Sequence, residues 1–170
     1  MTNPLQVYLH DHLAGSNFAI ELLKSLRDQE AYPDLVPFAV AMLEEVEKDA
    51  DLLRGVVEQV GKGPMDLKEA LAWVAEKASR FKLRHQQPAS LGTFEALETL
   101  SLGIMGKLAL WNALRTIAAL DARLPQLNFE KLATSAKAQF AKVEEQRITL
   151  ARLVFASKTG GANPESDPRE

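Results

Sequence analysis

Apolar residues recur every three or four positions along four long stretches of this chain, the spacing of an amphipathic helix. The first stretch, residues 4–28, places Leu5, Leu9, Leu13, Ser16, Ile20 and Leu23 on one face. The second begins near residue 34, with Asp34 as the expected cap and Pro37 tolerated in the first turn. Its seam is the most regular in the chain: Val36, Ala39, Leu43, Val46, Ala50, Leu53, Val57 and Val60 repeat with heptad spacing. Gly61 ends it as a C-terminal cap glycine would. The third stretch, residues 91–120, is apolar on nearly all sides. Leu97, Ile104, Leu108 and Trp111 share one face, while Leu102, Met105 and Leu110 point elsewhere, so cover is expected all round. The fourth is capped by Asn128 and carries Leu132, Ala136, Phe140, Val143, Ile148, Leu150 and Val154, with Phe140 inward and Gln139 beside it.

The connections decide the topology. The links after the first and third stretches are short, which predicts two antiparallel hairpins. Between the hairpins, residues 61–65 break the chain, Asp66 and Glu69 are spaced like a capping box, and a shorter helix is predicted over residues 66–84. Its apolar face is Leu67, Leu71, Val74, Ala78 and Phe81. That helix spans roughly 28 Å and its flanking loops about 20 Å more, against roughly 40 Å for a long helix. The connector can therefore return along the full length of the molecule. The prediction is all-α: a ferritin-like four-helix bundle with a helical crossover between helices two and three. A five-helix array is the competing arrangement. One domain is expected over residues 1–157, followed by a polar, turn-rich tail at 158–170 expected to be disordered.

The segments Tyr8-Leu9-His10-Asp11-His12-Leu13-Ala14-Gly15-Ser16 and Ser101-Leu102-Gly103-Ile104-Met105-Gly106-Lys107-Leu108-Ala109-Leu110-Trp111 resemble a group of uncharacterised bacterial proteins with a ferritin-like bundle. The similarity extends over most of the chain up to the tail. The resemblance implies the bundle fold and carries no activity with it.

Composition narrows the function classes. The chain has no cysteine, which excludes disulfides and thiolate chemistry and fits a cytoplasmic setting. Its N-terminus lacks a signal-peptide profile. A net charge of -3 gives no bulk attraction to nucleic acid, and none is expected as a partner. The stripe Trp73, Lys77, Arg80 and Arg84, with His85 beyond it, is read as a solvated face that offsets the acids of helix two. The apolar run at residues 96–114 is interrupted by Glu98 and Lys107, so a buried helix is expected rather than a membrane span.

Ferritin-like bundles that hold two metal ions use a pair of Glu-x-x-His motifs. The three histidines here, His10, His12 and His85, do not follow a Glu at that spacing. A non-standard carboxylate site would have to be assembled from His12, Glu45, Asp49, Glu98 and Glu145, with iron, manganese or zinc as the ion. No Ser/His/Asp or Cys/His set can be built, so no catalytic residue is assigned and no cofactor is predicted. A stripe of small residues along helix three, Ala96, Thr99, Gly103, Gly106, Ala109 and Ala113, includes two mid-helix glycines that cost about 1 kcal/mol each relative to alanine. Close approach of a second helix backbone is the expected compensation, from the crossover helix through Val74 and Phe81 or from a second copy in a homodimer. Three function classes remain. The favoured one is a non-catalytic scaffold acting through its surface, for which no interior pocket is expected. The others are a metal-binding bundle centred on His12 and a bundle that holds an apolar small molecule.

Overall fold

The computed structural model describes residues 3–61 and 89–156. These residues form four α-helices and no strand: α1 (Pro4–Arg27), α2 (Val36–Val60), α3 (Ala89–Ile117) and α4 (Phe129–Phe155). The expected helix at 66–84, the basic stripe with Trp73, and the tail at 158–170 lie outside the described residues.

Local chemistry sets most helix ends. Asn3 Oδ1 accepts the Leu5 N–H at 3.0 Å, and Pro4 occupies the first position of α1, where its missing N–H has no cost. Lys24 and Arg27 lie in the last turn of α1, where a cation is favoured by the exposed carbonyls. The cap expected from Asp34 is not made. Asp34 lies inside a 3-10 turn, Pro33–Leu35, that leads directly into α2, and no side chain caps that helix. Gly61 does stop α2: its φ is 111° and its N–H donates to the Val57 carbonyl at 3.1 Å. Asn128 caps α4 through its Oδ1, which accepts the Lys131 N–H at 2.9 Å.

Two apolar clusters fix the helix directions. One joins Leu22, Leu23 and Leu26 of α1, Ala39, Met42 and Leu43 of α2, Leu97 and Leu100 of α3, and Val143 and Leu150 of α4. The other joins Leu9 of α1, Leu53, Val56 and Val60 of α2, Leu110, Trp111 and Leu114 of α3, and Phe129 and Ala133 of α4. Each end of the molecule is thus built from the start of one helix and the finish of its hairpin partner, so α1–α2 and α3–α4 are antiparallel pairs. The starts of α2 and α3 share one end, so these two helices run parallel. Leu9, Leu23, Leu97 and Leu114 are fully buried, each worth about 1.5–3 kcal/mol relative to exposure.

Several facing assignments differ from expectation. Gln139, not Phe140, is the inward residue of α4: it is 1% exposed, while Phe140 packs half-buried at the edge of the core. Ile148, expected in the seam of α4, is 46% exposed. On α3, Leu110 is buried, whereas Leu102 and Met105 are exposed among the described residues. No helix of the described residues is long and apolar enough to cross a membrane.

Candidate functional site

At mid-height α1, α2 and α3 line a cavity of about 290 Å³ that is partly open to solvent. Its walls are largely apolar: Phe18 and Ala19 from α1, Val46 and Leu53 from α2, and Ile104, Leu110 and Trp111 from α3. The small residues Gly15, Ser16, Thr99, Gly103 and Gly106 also line it. Part of the small-residue stripe of α3 therefore faces α1 across open space. The crossover helix expected to approach that stripe, with Val74 and Phe81, lies outside the described residues. A Cβ placed on Gly103 meets no described atom within 4 Å, and one on Gly106 would stand 3.9 Å from His12 Cε1.

The cavity has one built-in charge pair. Lys107 interrupts the apolar run of α3 and points inward, where its Nζ donates to Asp49 Oδ2 of α2 at 2.5 Å and also to Gln139 Oε1 of α4. Gln139 Nε2 closes the triangle by donating to the same Asp49 oxygen at 3.0 Å. The Lys107 and Asp49 side chains are each only 12% exposed. Burial pushes the Lys107 ammonium below its ordinary value, and the nearby Asp49 and Glu45 carboxylates oppose that shift. Helices α2, α3 and α4 are thus tied at mid-height by one cation with two acceptors. Its partners come from distant parts of the sequence.

His12 reaches the cavity from α1. Its ring stands edge-on to Tyr8 at 4.6 Å, and its ring nitrogens have no hydrogen bond among the described residues. Burial lowers its pKa, against a smaller upward pull from Asp11, so the neutral imidazole is favoured. Trp111 is 1% exposed, stacks on Phe129 at 6.3 Å, and its Nε1 is a fully buried donor with no hydrogen-bond partner.

The residues considered for metal binding do not converge. Asp49 is bound to Lys107. Glu45 forms an exposed ion pair with Lys142 at 2.6 Å. Glu98 is half exposed, 3.8 Å from Arg147, and is not the buried acid expected from its apolar setting. Glu145 is exposed on α4, where its backbone carbonyl accepts the Thr149 hydroxyl. Among the described residues no three His, Asp or Glu side chains are placed to hold a metal ion. At mid-height the ammonium of Lys107 already neutralises the inward carboxylate of Asp49. The residues present do not fit a di-metal group.

The sequence singled out His12, Asp49, Lys107 and Gln139 separately. It did not show that Lys107 binds Asp49 and Gln139, nor that Trp111 presents an unpaired donor. A lone lysine in an otherwise apolar helix was the available signal, since burying an ammonium requires acceptors from facing helices. No family model, curated protein or solved structure matches this chain.

Proposed function

We propose that this chain is a ferritin-like bundle whose interior takes up a small, mainly apolar molecule in place of metal ions. The observation that carries the reading is the cavity of about 290 Å³ between α1, α2 and α3, with apolar walls and a few converging polar groups. Interior sites of bundles commonly have this character. The scaffold reading expected no such space. The parallel course of α2 and α3 supports the single-crossover topology, since residues 62–88 must join the end of α2 to the far end of the molecule. The glycines support the reading too. Gly15 and Gly103 lie in cavity walls where a side chain would extend toward no described atom.

Binding is the role this supports: Lys107 and Asp49 satisfy each other, and among the described residues Ser16 Oγ donates to the His12 carbonyl rather than to its ring. The second reading, a scaffold that acts through its surface as a homodimer, has its support in Leu102 and Met105, exposed on one side of α3. Titration of the full chain with naphthalene-sized neutral molecules tests the binding reading. Saturable one-to-one binding that is lost in Gly15→Leu and Gly103→Leu is expected. Absence of binding, or binding that both variants keep, overturns it.

A further inference from the structure

His12 stands where a proton and a guest compete. Resting on the binding reading above, we infer that protonation of His12 weakens the hold on the neutral guest, so the cavity loads near neutral pH and releases on acidification. The position of the ring carries this. His12 is half-buried on the side of α1 that meets α3, and it lines the cavity beside Gly15 and Ser16. Its Cε1 lies 3.9 Å from the place a Cβ would occupy on Gly106, a residue of the α3 wall. The ring thus sits at the seam between two walls of the cavity. A guest that fills the space displaces water from beside it, and water is what an imidazolium there depends on.

The groups around the ring do not replace that water. Among the described residues neither ring nitrogen has a hydrogen-bond partner, and Tyr8 of α1 meets the ring edge-on at 4.6 Å. Ser16, one turn further on, directs its hydroxyl hydrogen to the His12 carbonyl. The charges of the lining come from three helices. On α1, Asp11 is exposed and lies about 100° away round the helix. On α2, the Oδ2 of Asp49 already accepts from both Lys107 and Gln139. On α3, Lys107 adds a like charge to the same lining. No residue of α4 lines the cavity among the described residues. A second cation in this space would have Asp11 as its one uncommitted counter-charge, on the solvent side.

The direction of the coupling follows. Burial already lowers the His12 pKa against a smaller upward pull from Asp11, and loss of the remaining water to a guest lowers it further. The neutral ring is the form that accepts the guest. Guest affinity is therefore level above the ordinary 6.5 and falls as pH drops below it. The coupling is reciprocal: the factor by which the guest weakens proton binding is the factor by which the proton weakens guest binding. Attraction between an imidazolium and the face of an aromatic guest would act in the opposite direction. The sign of the pH dependence decides between the two.

Titration of the full chain with naphthalene, which has no titrating group of its own, at stepped pH from about 7.5 to about 5 tests this. That range stays above the ordinary carboxylate values. The expected result is a Kd that is constant above pH 6.5 and about 3- to 10-fold weaker at the acid end. His12→Phe should bind equally well at both ends. A readout on the unaltered ring guards against a variant that does not fold. The His12 Cε1–H resonance, assigned with His10→Gln and His85→Gln, should titrate with its midpoint at lower pH when naphthalene is bound. Affinity that stays flat or rises on acidification, a decline that His12→Phe keeps, or a midpoint that naphthalene leaves unmoved overturns the inference while the pocket stands. Failure of naphthalene to bind at any pH overturns the binding reading itself.

Discussion

Lys107 decides what the middle of this bundle can be. A half-turn of an apolar helix delivers an ammonium to a place where the carboxylate of Asp49 and the amide of Gln139 are waiting. Removing the cation alone strands a largely desolvated carboxylate, whereas removing both charges strands only the uncharged amide of Gln139. Lys107→Met should therefore lower stability by about 3 kcal/mol in urea denaturation, and Lys107→Met with Asp49→Leu should recover part of that loss, the unpaired amide of Gln139 keeping the rest. Simple additivity of the two changes would show that the pair is not coupled. His12 gives a pH dependence of its own. Its folded-state pKa lies below the ordinary 6.5, so below 6.5 the unfolded chain binds a proton that the folded chain resists. Stability from this group is level above pH 6.5 and falls as pH drops below it. The depressed carboxylates lose their contributions lower down, below ordinary values of 3.8 for Asp28 and Asp121 and 4.5 for Glu144. The decline between 6.5 and 4.5 should therefore vanish in His12→Phe, measured by denaturation at stepped pH. A decline unchanged in the variant would place its origin elsewhere.

Among the elements, α2 was the most legible and α3 the least. The seam of α2 could be read because its apolar positions contrast with Glu44, Glu47, Lys48 and Asp51 on the opposite side, and Ala39, Leu43, Val46, Ala50, Leu53, Val57 and Val60 are all buried. On α3 apolar residues fall on nearly every side, so the pattern carried no information on which face is inward. Glu98 lies within the apolar run and is half exposed, and Leu102 looked covered and is 70% exposed. On α4 the ambiguity was between neighbours. Gln139 and Phe140 lie about 100° apart around the helix, and hydrophobicity chose the wrong one because the buried cation needed an amide. The caps could be read where a side chain makes them, at Asn128, and not at Asp34, where a 3-10 turn supplants the cap. Gly61→Ala should destabilise by about 1–2 kcal/mol, because φ is 111° and a Cβ would meet Gln6 Nε2 at 2.9 Å. Gly103→Ala should do the reverse and stabilise by about 1 kcal/mol in thermal unfolding, since the helix gains and no described atom resists. A loss there would mean that residues 62–88 or a second copy pack against it.

At the scale of the molecule, the four long helices of the described residues and their pairing into two hairpins follow from segment lengths and short connections, which a sequence displays directly. The cavity does not follow from them. It is a difference between the volume three helices leave and the volume their side chains fill, and no single stretch of sequence holds that information. The charge arrangement is likewise a property of assembly: Lys107, Asp49 and Gln139 lie on three helices and meet only when both hairpins dock. On the proposed reading, Lys107 takes the place of a metal ion beside Asp49 and the cavity receives a neutral guest. A crystal structure of the full chain grown with a naphthalene-sized neutral compound tests that claim most directly. The account predicts ligand density between α1, α2 and α3, with Lys107 still bound to Asp49. A metal ion held by His12 and Asp49 with Lys107 displaced, or a cavity left without ligand while the compound sits on the surface, would contradict it.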